Sequence, residues 1–169
     1  MQLYVGSSTQ FNEDVLFGSI SKKLERAFFD HFRYKPSPGE VQSWQNSLTR
    51  MSLVLQKADL TDHGVILEHQ LPLSSKRLDC MVLGQDGSGQ DQAVVVELKQ
   101  RSKAEPSDAD ACVATYVGGC VRDVLHPSVQ VGQYAQCLGN YQTVFSEEGM
   151  VLGACLVVAG RCVASLYGR

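Results

Sequence analysis

Two carboxylic acids and an amine, Asp79, Glu97 and Lys99, stand at the ends of apolar runs. Successive side chains of a strand point to opposite faces, so an extended run over Ala93–Lys99 puts Val95, Glu97 and Lys99 on one face and Val94, Val96 and Leu98 on the other. A charge at the rim of a buried sheet is costly unless something compensates it. The loop before this run carries Gly87, Ser88 and Gly89 and reads as a hairpin tip, the glycines being explained by the tight turn. If the hairpin is symmetric about Ser88, Asp79 lies opposite Glu97. Directly opposed Cβ atoms are ~4.5 to 5.5 Å apart and like charges there repel. A divalent cation between the two acids, with oxygen ligands at ~2.0 to 2.6 Å, would turn that repulsion into binding. The pairing assumes an unbroken register, which a single bulge would undo. The blander reading of Glu97 and Lys99 is a rim ion pair worth ~0 to 1 kcal/mol.

The elements that must carry these groups can be read from periodicity. Residues 1–10 suggest a short strand and turn. Apolar residues recur at helical spacing from Ser21 to Phe32, and again from Glu40 to Lys57, where Val41, Trp44, Leu48, Met51 and Leu55 form one core-facing stripe. Three strands follow, Val65–Leu71, Arg77–Leu83 and Ala93–Lys99, in an antiparallel meander. The segment Arg101–Asp110 is polar. Cys112–Val117 and Cys120–Leu125 flank Gly118-Gly119 as a small hairpin, and His126-Pro127 opens a helix running to about Asn140. Val151–Ala159 is a last buried strand. The expectation is an α/β fold, a mixed central sheet flanked by helices in the order helix-strand-strand-strand-helix-strand.

Composition narrows the class. The 169 residues, 44% hydrophobic and 20% charged, suit one globular domain. The net charge of -3 gives no global positive field, so any nucleic-acid contact must be local. The six cysteines, at 80, 112, 120, 137, 155 and 162, form no C-x-x-C pair and read as reduced thiols. No Lys follows a Gly, which excludes a phosphate loop of Walker type. No apolar stretch is long enough for a membrane helix and the first residues do not read as a secretory signal, so the expectation is a cytoplasmic protein without membrane contact. His31, His63 and His69 show no ligand spacing; His126 reads as a helix-start residue and Trp44 as core.

Asp79 followed by Glu97-Leu98-Lys99 on adjacent strands resembles the PD-(D/E)XK nuclease superfamily, and Gln130 with Tyr134, one turn apart on the later helix, is similar to the Q-x-x-x-Y signature of its RecB-type members. The longer text, Val65-Ile66-Leu67-Glu68-His69-Gln70-Leu71-Pro72, Ser75-Lys76-Arg77-Leu78-Asp79, Val96-Glu97-Leu98-Lys99-Gln100 and Val124-Leu125-His126-Pro127-Ser128, resembles the N-terminal nuclease-like domain of bacterial Schlafen-like helicases over about residues 1–155. Those chains continue into an ATPase, and usually carry a tryptophan and aromatics where Arg101, Val129 and Gly132 stand here.

The resemblance implies a restriction-endonuclease-like core and a metal-dependent phosphodiesterase. Residues 39–159 would form the catalytic core behind an extension over 1–38, with 160–169 an atypical tail. Asp79 and Glu97 would hold Mg2+ or Mn2+, and Lys99 would orient the attacking water. A further metal-binding glutamate is expected from the first core helix. Glu40, at the edge of the apolar stripe, is preferred, and Glu68, brought near Asp79 by a turn at Leu73 and Ser74, is the competitor. Arg77, Gln130, Tyr134 and Arg122 would contact substrate, with Lys76, Arg101 and Lys103 on flanking phosphates; for Gln130 and Tyr134 the alternative is a half-buried helix face. The expected partner is nucleic acid, DNA before RNA, together with a helicase or ATPase module encoded elsewhere or lost. The alternatives are a non-catalytic nucleic-acid-docking module, or remnant of such a helicase, and a protein-interaction domain.

Overall fold

The computed structural model describes residues 1–99, 104–117, 119–147, 149–158 and 161–165. The chain opens with strand β1 (Tyr4–Ser7) and passes directly into helix α1 (Ser8–Leu16). Ser7 makes the switch: its hydroxyl accepts from the Gln10 amide while the Gln10 side chain accepts from the Ser7 amide, a closed capping box. This helix was not anticipated, because Phe11 is its only fully buried apolar residue and its polar text gives little periodicity.

Helix α2 (Ile20–Phe32) ends on Arg33 at φ 62°, and α3 (Pro38–Lys57) begins at Ser37, whose hydroxyl caps the Glu40 amide. On α3, Trp44, Leu48, Met51 and Leu55 are buried, as their spacing predicts, and Val41 packs at the cluster's margin. The meander follows as β2 (Gly64–Gln70), β3 (Arg77–Gln85) and β4 (Asp91–Lys99). After it come β5 (Glu105–Pro106), β6 (Cys112–Val117) and β7 (Cys120–Leu125), then α4 (Pro127–Tyr141), α5 (Thr143–Ser146), β8 (Val151–Val158) and β9 (Arg161–Ser165).

The main sheet is six-stranded and mixed, in the order β1-β2-β3-β4-β8-β9, with β4 and β8 parallel and every other pair antiparallel. Helices α1 to α3 cover one face and α4 the other. Leu67, Cys80, Val82 and Val96 join the first core layer, and Met81, Val95 and Ala154 join Val131, Tyr134 and Leu138 in the second. The strands β5, β6 and β7 form a separate three-stranded sheet. Part of the expected C-terminal tail belongs to the fold: Arg161–Ser165 pairs with β8 as an edge strand, its short Val-Ala alternation being too weak a signal to read beforehand.

The hairpin register is the one expected from the tip. Pairing runs from Gln85↔Asp91 to Cys80↔Val96, with Gly89 at φ 81° in the turn and the Asp86 carboxylate accepting the Ser88 and Gln90 amides. The ladder stops one residue short of Asp79 and Glu97.

Candidate active site

The place where the ladders stop is the place where the acids collect. Between β2 and β3 the pairs Leu67↔Cys80 and His69↔Leu78 are present, and the intervening Glu68 and Asp79 do not pair. Strict alternation would set Leu78 and Cys80 on one face, yet Leu78 packs in the α4 layer and Cys80 in the α3 layer. Glu68 has φ 53°, a left-handed conformation that costs a non-glycine residue on the order of 1 to 3 kcal/mol. The phase of both strands therefore slips at Glu68 and Asp79, and Arg77 and Asp79 do not simply share a face as alternation predicts.

Between β3 and β4, where pairing ends, the Asp79 carboxylate accepts the Leu98 amide at 2.7 Å and so takes the place of a ladder partner. Burial raises the Asp79 pKa above the ordinary carboxylate value, against the pull of that amide and of Lys99 and Arg77.

Glu97 is 2% exposed, so its ion pair with Lys99 is present but buried on the carboxylate side. One oxygen, Oε1, accepts from Lys99 Nζ at 2.5 Å and from Gln130 Nε2 at 2.7 Å. The other, Oε2, is buried and has no hydrogen-bond partner among the described residues. Burial, and then the nearby Asp79 charge, push the Glu97 pKa up to about 7. Gln130 also donates to the Tyr134 hydroxyl at 2.9 Å, so the two helix residues expected at the site do meet there, on α4, with Tyr134 buried. Helix α4 is held in place at its start by His126, whose Nδ1 accepts the Ser128 amide, with Pro127 in the first turn.

The other wall is a charge network. Glu40 pairs with Arg77 Nη2, and Arg77 Nε lies 3.2 Å from Glu68 Oε2. Trp44 Nε1 donates to Glu68 Oε1 at 2.8 Å, so this core tryptophan also has a polar duty that apolar spacing could not reveal. The Arg77 guanidinium stacks over Phe28 and Phe32, at 5.2 and 5.7 Å from their centroids, and its Nη1 is buried without a partner. Burial, then Asp79, push the Glu68 pKa up to about 7.

Of the expected residues, Asp79, Glu97, Lys99, Gln130 and Tyr134 thus come together. Glu40 reaches the same cleft with its carboxylate held by Arg77, and Arg77 is turned toward α2 and α3. Arg122 lies on β7, exposed, with its Nε donating to Cys120 Sγ at 3.0 Å. Lys76 is exposed beside Arg77, while Arg101 and Lys103 lie outside the described residues. Cys80, Cys112 and Cys137 are free thiols. Glu68 is the residue weighed second that the structure puts against Asp79; the signal for it was the turn that folds β2 back on β3.

Asp79, Lys99, Gln130, Glu40, Glu68 and Arg77 border a cleft of about 930 Å³, and Glu97 and Tyr134 are buried behind this lining. Glu40, Trp44 and Leu48 of α3 form one side, Val113, Thr115, Val124 and Leu125 of the small sheet another, and Asp79, Leu98 and Lys99 lie among its lining. Among the described residues no group of three or more His, Cys, Asp or Glu side chains is arranged to hold a metal ion. Mg2+, however, keeps several waters and needs only one or two carboxylates. Asp79 and Glu97 supply two, and the bare, buried Glu97 Oε2 is an acceptor that such a cation would satisfy, so the residues present fit the ion. Among the described residues no helix is long and apolar enough to cross a membrane.

The chain matches no family model, no curated protein and no solved structure.

Proposed function

We propose that this chain is a metal-dependent hydrolase of nucleic-acid phosphodiester bonds, built on a restriction-endonuclease-like core. The observation that carries the reading is the convergence of Asp79, Glu97 and Lys99 where β3 and β4 part, with Glu97 Oε2 buried and unpartnered. The order of α3, β2, β3, β4, α4 and β8 supports it, since it matches the helix-strand-strand-strand-helix-strand plan that the sequence resemblance implies.

Asp79 and Glu97 would hold Mg2+ or Mn2+. When bound, the ion supplies Lewis acidity toward a phosphate oxygen and makes a water more acidic. The chain's own residues do the rest. The Leu98 amide fixes the Asp79 carboxylate, and Lys99 and Gln130 hold Glu97 by Oε1, leaving Oε2 without a bond from either donor. Lys99 Nζ, one-third exposed and able only to donate, faces the cleft edge and offsets negative charge building on the phosphate as the water's oxygen adds and the ester oxygen leaves. The Trp44-Glu68-Arg77-Glu40 network holds α3 and β3 at the separation the cleft needs.

The test is direct. Purified protein with Mn2+ or Mg2+ should cleave labelled DNA or RNA; Asp79→Ala should abolish cleavage, and Lys99→Ala should slow it at least ~100-fold. Intact substrates with the parent protein, or equal rates in the parent and Asp79→Ala, sink the reading. A second reading has one observation in its favour: Arg77 and Lys99 already carry carboxylate partners within the chain. A non-catalytic nucleic-acid-docking module follows if nucleic acid binds without cleavage and calorimetry detects no Mn2+ heat.

A further inference from the structure

The walls of the cleft say what kind of nucleic acid can enter it. A duplex presents one negative charge per ~1.7 Å of axis and hides the faces of its bases, so proteins hold it with rows of unpaired Lys and Arg. Among the described lining residues the cations are Arg77 and Lys99, against the carboxylates of Glu40, Glu68 and Asp79. Both cations are ion-paired, Arg77 with Glu40 and Glu68, and Lys99 with Glu97. The rest of the lining mixes serines of α3, Thr115, His126 and Gln130 with apolar side chains, and the apolar ones gather on the small sheet as Val113, Val124 and Leu125, beside Pro127 at the start of α4. Apolar walls suit base faces, which only an unpaired strand exposes. At about 930 Å³ the cleft is the size of a site that encloses a small organic ligand, a few nucleotides and not a helix.

The β6-β7 hairpin supplies the wall opposite α3. Val113 and Val124 are directly paired and both border the cleft, as does Thr115, which pairs with Arg122, while Tyr116 and Val121, the pair after that, alternate to the other face and are 66% and 68% exposed. We infer that the hairpin makes this cleft a receptor for a single unpaired nucleic-acid strand, taken base-first between α3 and the Val113-Val124 wall, and that it shuts duplex out. The inference rests on the function proposed above for its choice of nucleic acid, and its test reads binding, not cleavage.

Fluorescence anisotropy with a twelve-nucleotide strand, as DNA and as RNA, and with the same sequence as a duplex is measured in EDTA and again with Ca2+. The single strand should bind at least about tenfold tighter. Val124→Glu, which puts a charge into the apolar wall, should erase the preference, and Tyr116→Ala, on the hairpin's other face, should keep it; circular dichroism establishes that both variants fold. Equal or tighter duplex binding, no binding of either form in both buffers, or a folded Val124→Glu variant with unchanged affinity overturns the inference. Strand preference without any Mn2+-dependent cleavage removes the hydrolase and leaves the strand receptor. Cleavage of duplex as fast as single strand does the reverse.

Discussion

Glu97 is held unsymmetrically by the fold. Its carboxyl lies 2% exposed, with two donors on one oxygen and none on the other, and its pKa rises from 4.5 to about 7. Between those values the folded protein keeps a proton that the unfolded chain has lost, so stability falls as pH rises through the window and levels off above it. Glu68, pushed the same way, adds to the effect. Melting curves in EDTA at pH 5 and pH 7.5 should show a loss on the order of 3 kcal/mol at the higher pH. Glu97→Gln, which cannot ionise, should flatten that dependence, and a variant as steep as the parent counts against the assignment. Glu97 and Lys99 are legible in sequence as charges at the end of a valine run; that one oxygen would be left bare is not, because it depends on where α4 brings Gln130.

At the scale of elements, Arg77 ties four of them together. It stacks on Phe28 and Phe32 of α2, pairs with Glu40 of α3 and Glu68 of β2, and is itself part of β3. Removing it leaves two partly buried carboxylates beside Asp79 with no cation, so Arg77→Ala should destabilise by ~3 to 5 kcal/mol in denaturant titrations at pH 7.5. Arg77→Lys should recover less than half of that, because an ammonium cannot serve two acids and two aromatic faces from one planar group. Full recovery by lysine would show the network to be simple charge balance. The strands themselves were readable, and so was the register about Ser88, because the glycine-rich tip and the valine runs impose both. The slip of phase at Glu68 and Asp79 was not readable, since the positive φ of Glu68 comes with contacts to Trp44 and Arg77, which lie distant in sequence.

The whole molecule divides into a six-stranded sheet clad by helices and a small three-stranded sheet outside its ladder. Local stability follows burial and shared hydrogen bonding. The strands β3 and β4 are paired on both sides and covered on both faces, whereas most of the residues of β7 are exposed. Hydrogen exchange should therefore deuterate Cys112–Leu125 well before Arg77–Lys99, by at least about tenfold in rate. If a twelve-nucleotide strand is bound in the cleft, protection should appear in this hairpin first. Uniform exchange across both sheets would mean that the hairpin is welded to the core and not an independent wall.

The primary structure by itself determined the α/β class, the meander, the helix that starts at His126-Pro127 and the candidates Asp79, Glu97 and Lys99, because each is written locally, in periodicity, turn residues and charges at strand ends. It also brought Glu40 and Glu68 forward as candidates without separating them. Tertiary structure alone decided that Arg77 engages both, that Asp79 replaces a ladder partner by taking the Leu98 amide, and that the β6-β7 hairpin closes one side of the cleft. Those outcomes depend on side chains distant in sequence competing for the same buried volume and the same few hydrogen-bond donors, a competition settled only when α3, the sheet and α4 are packed together.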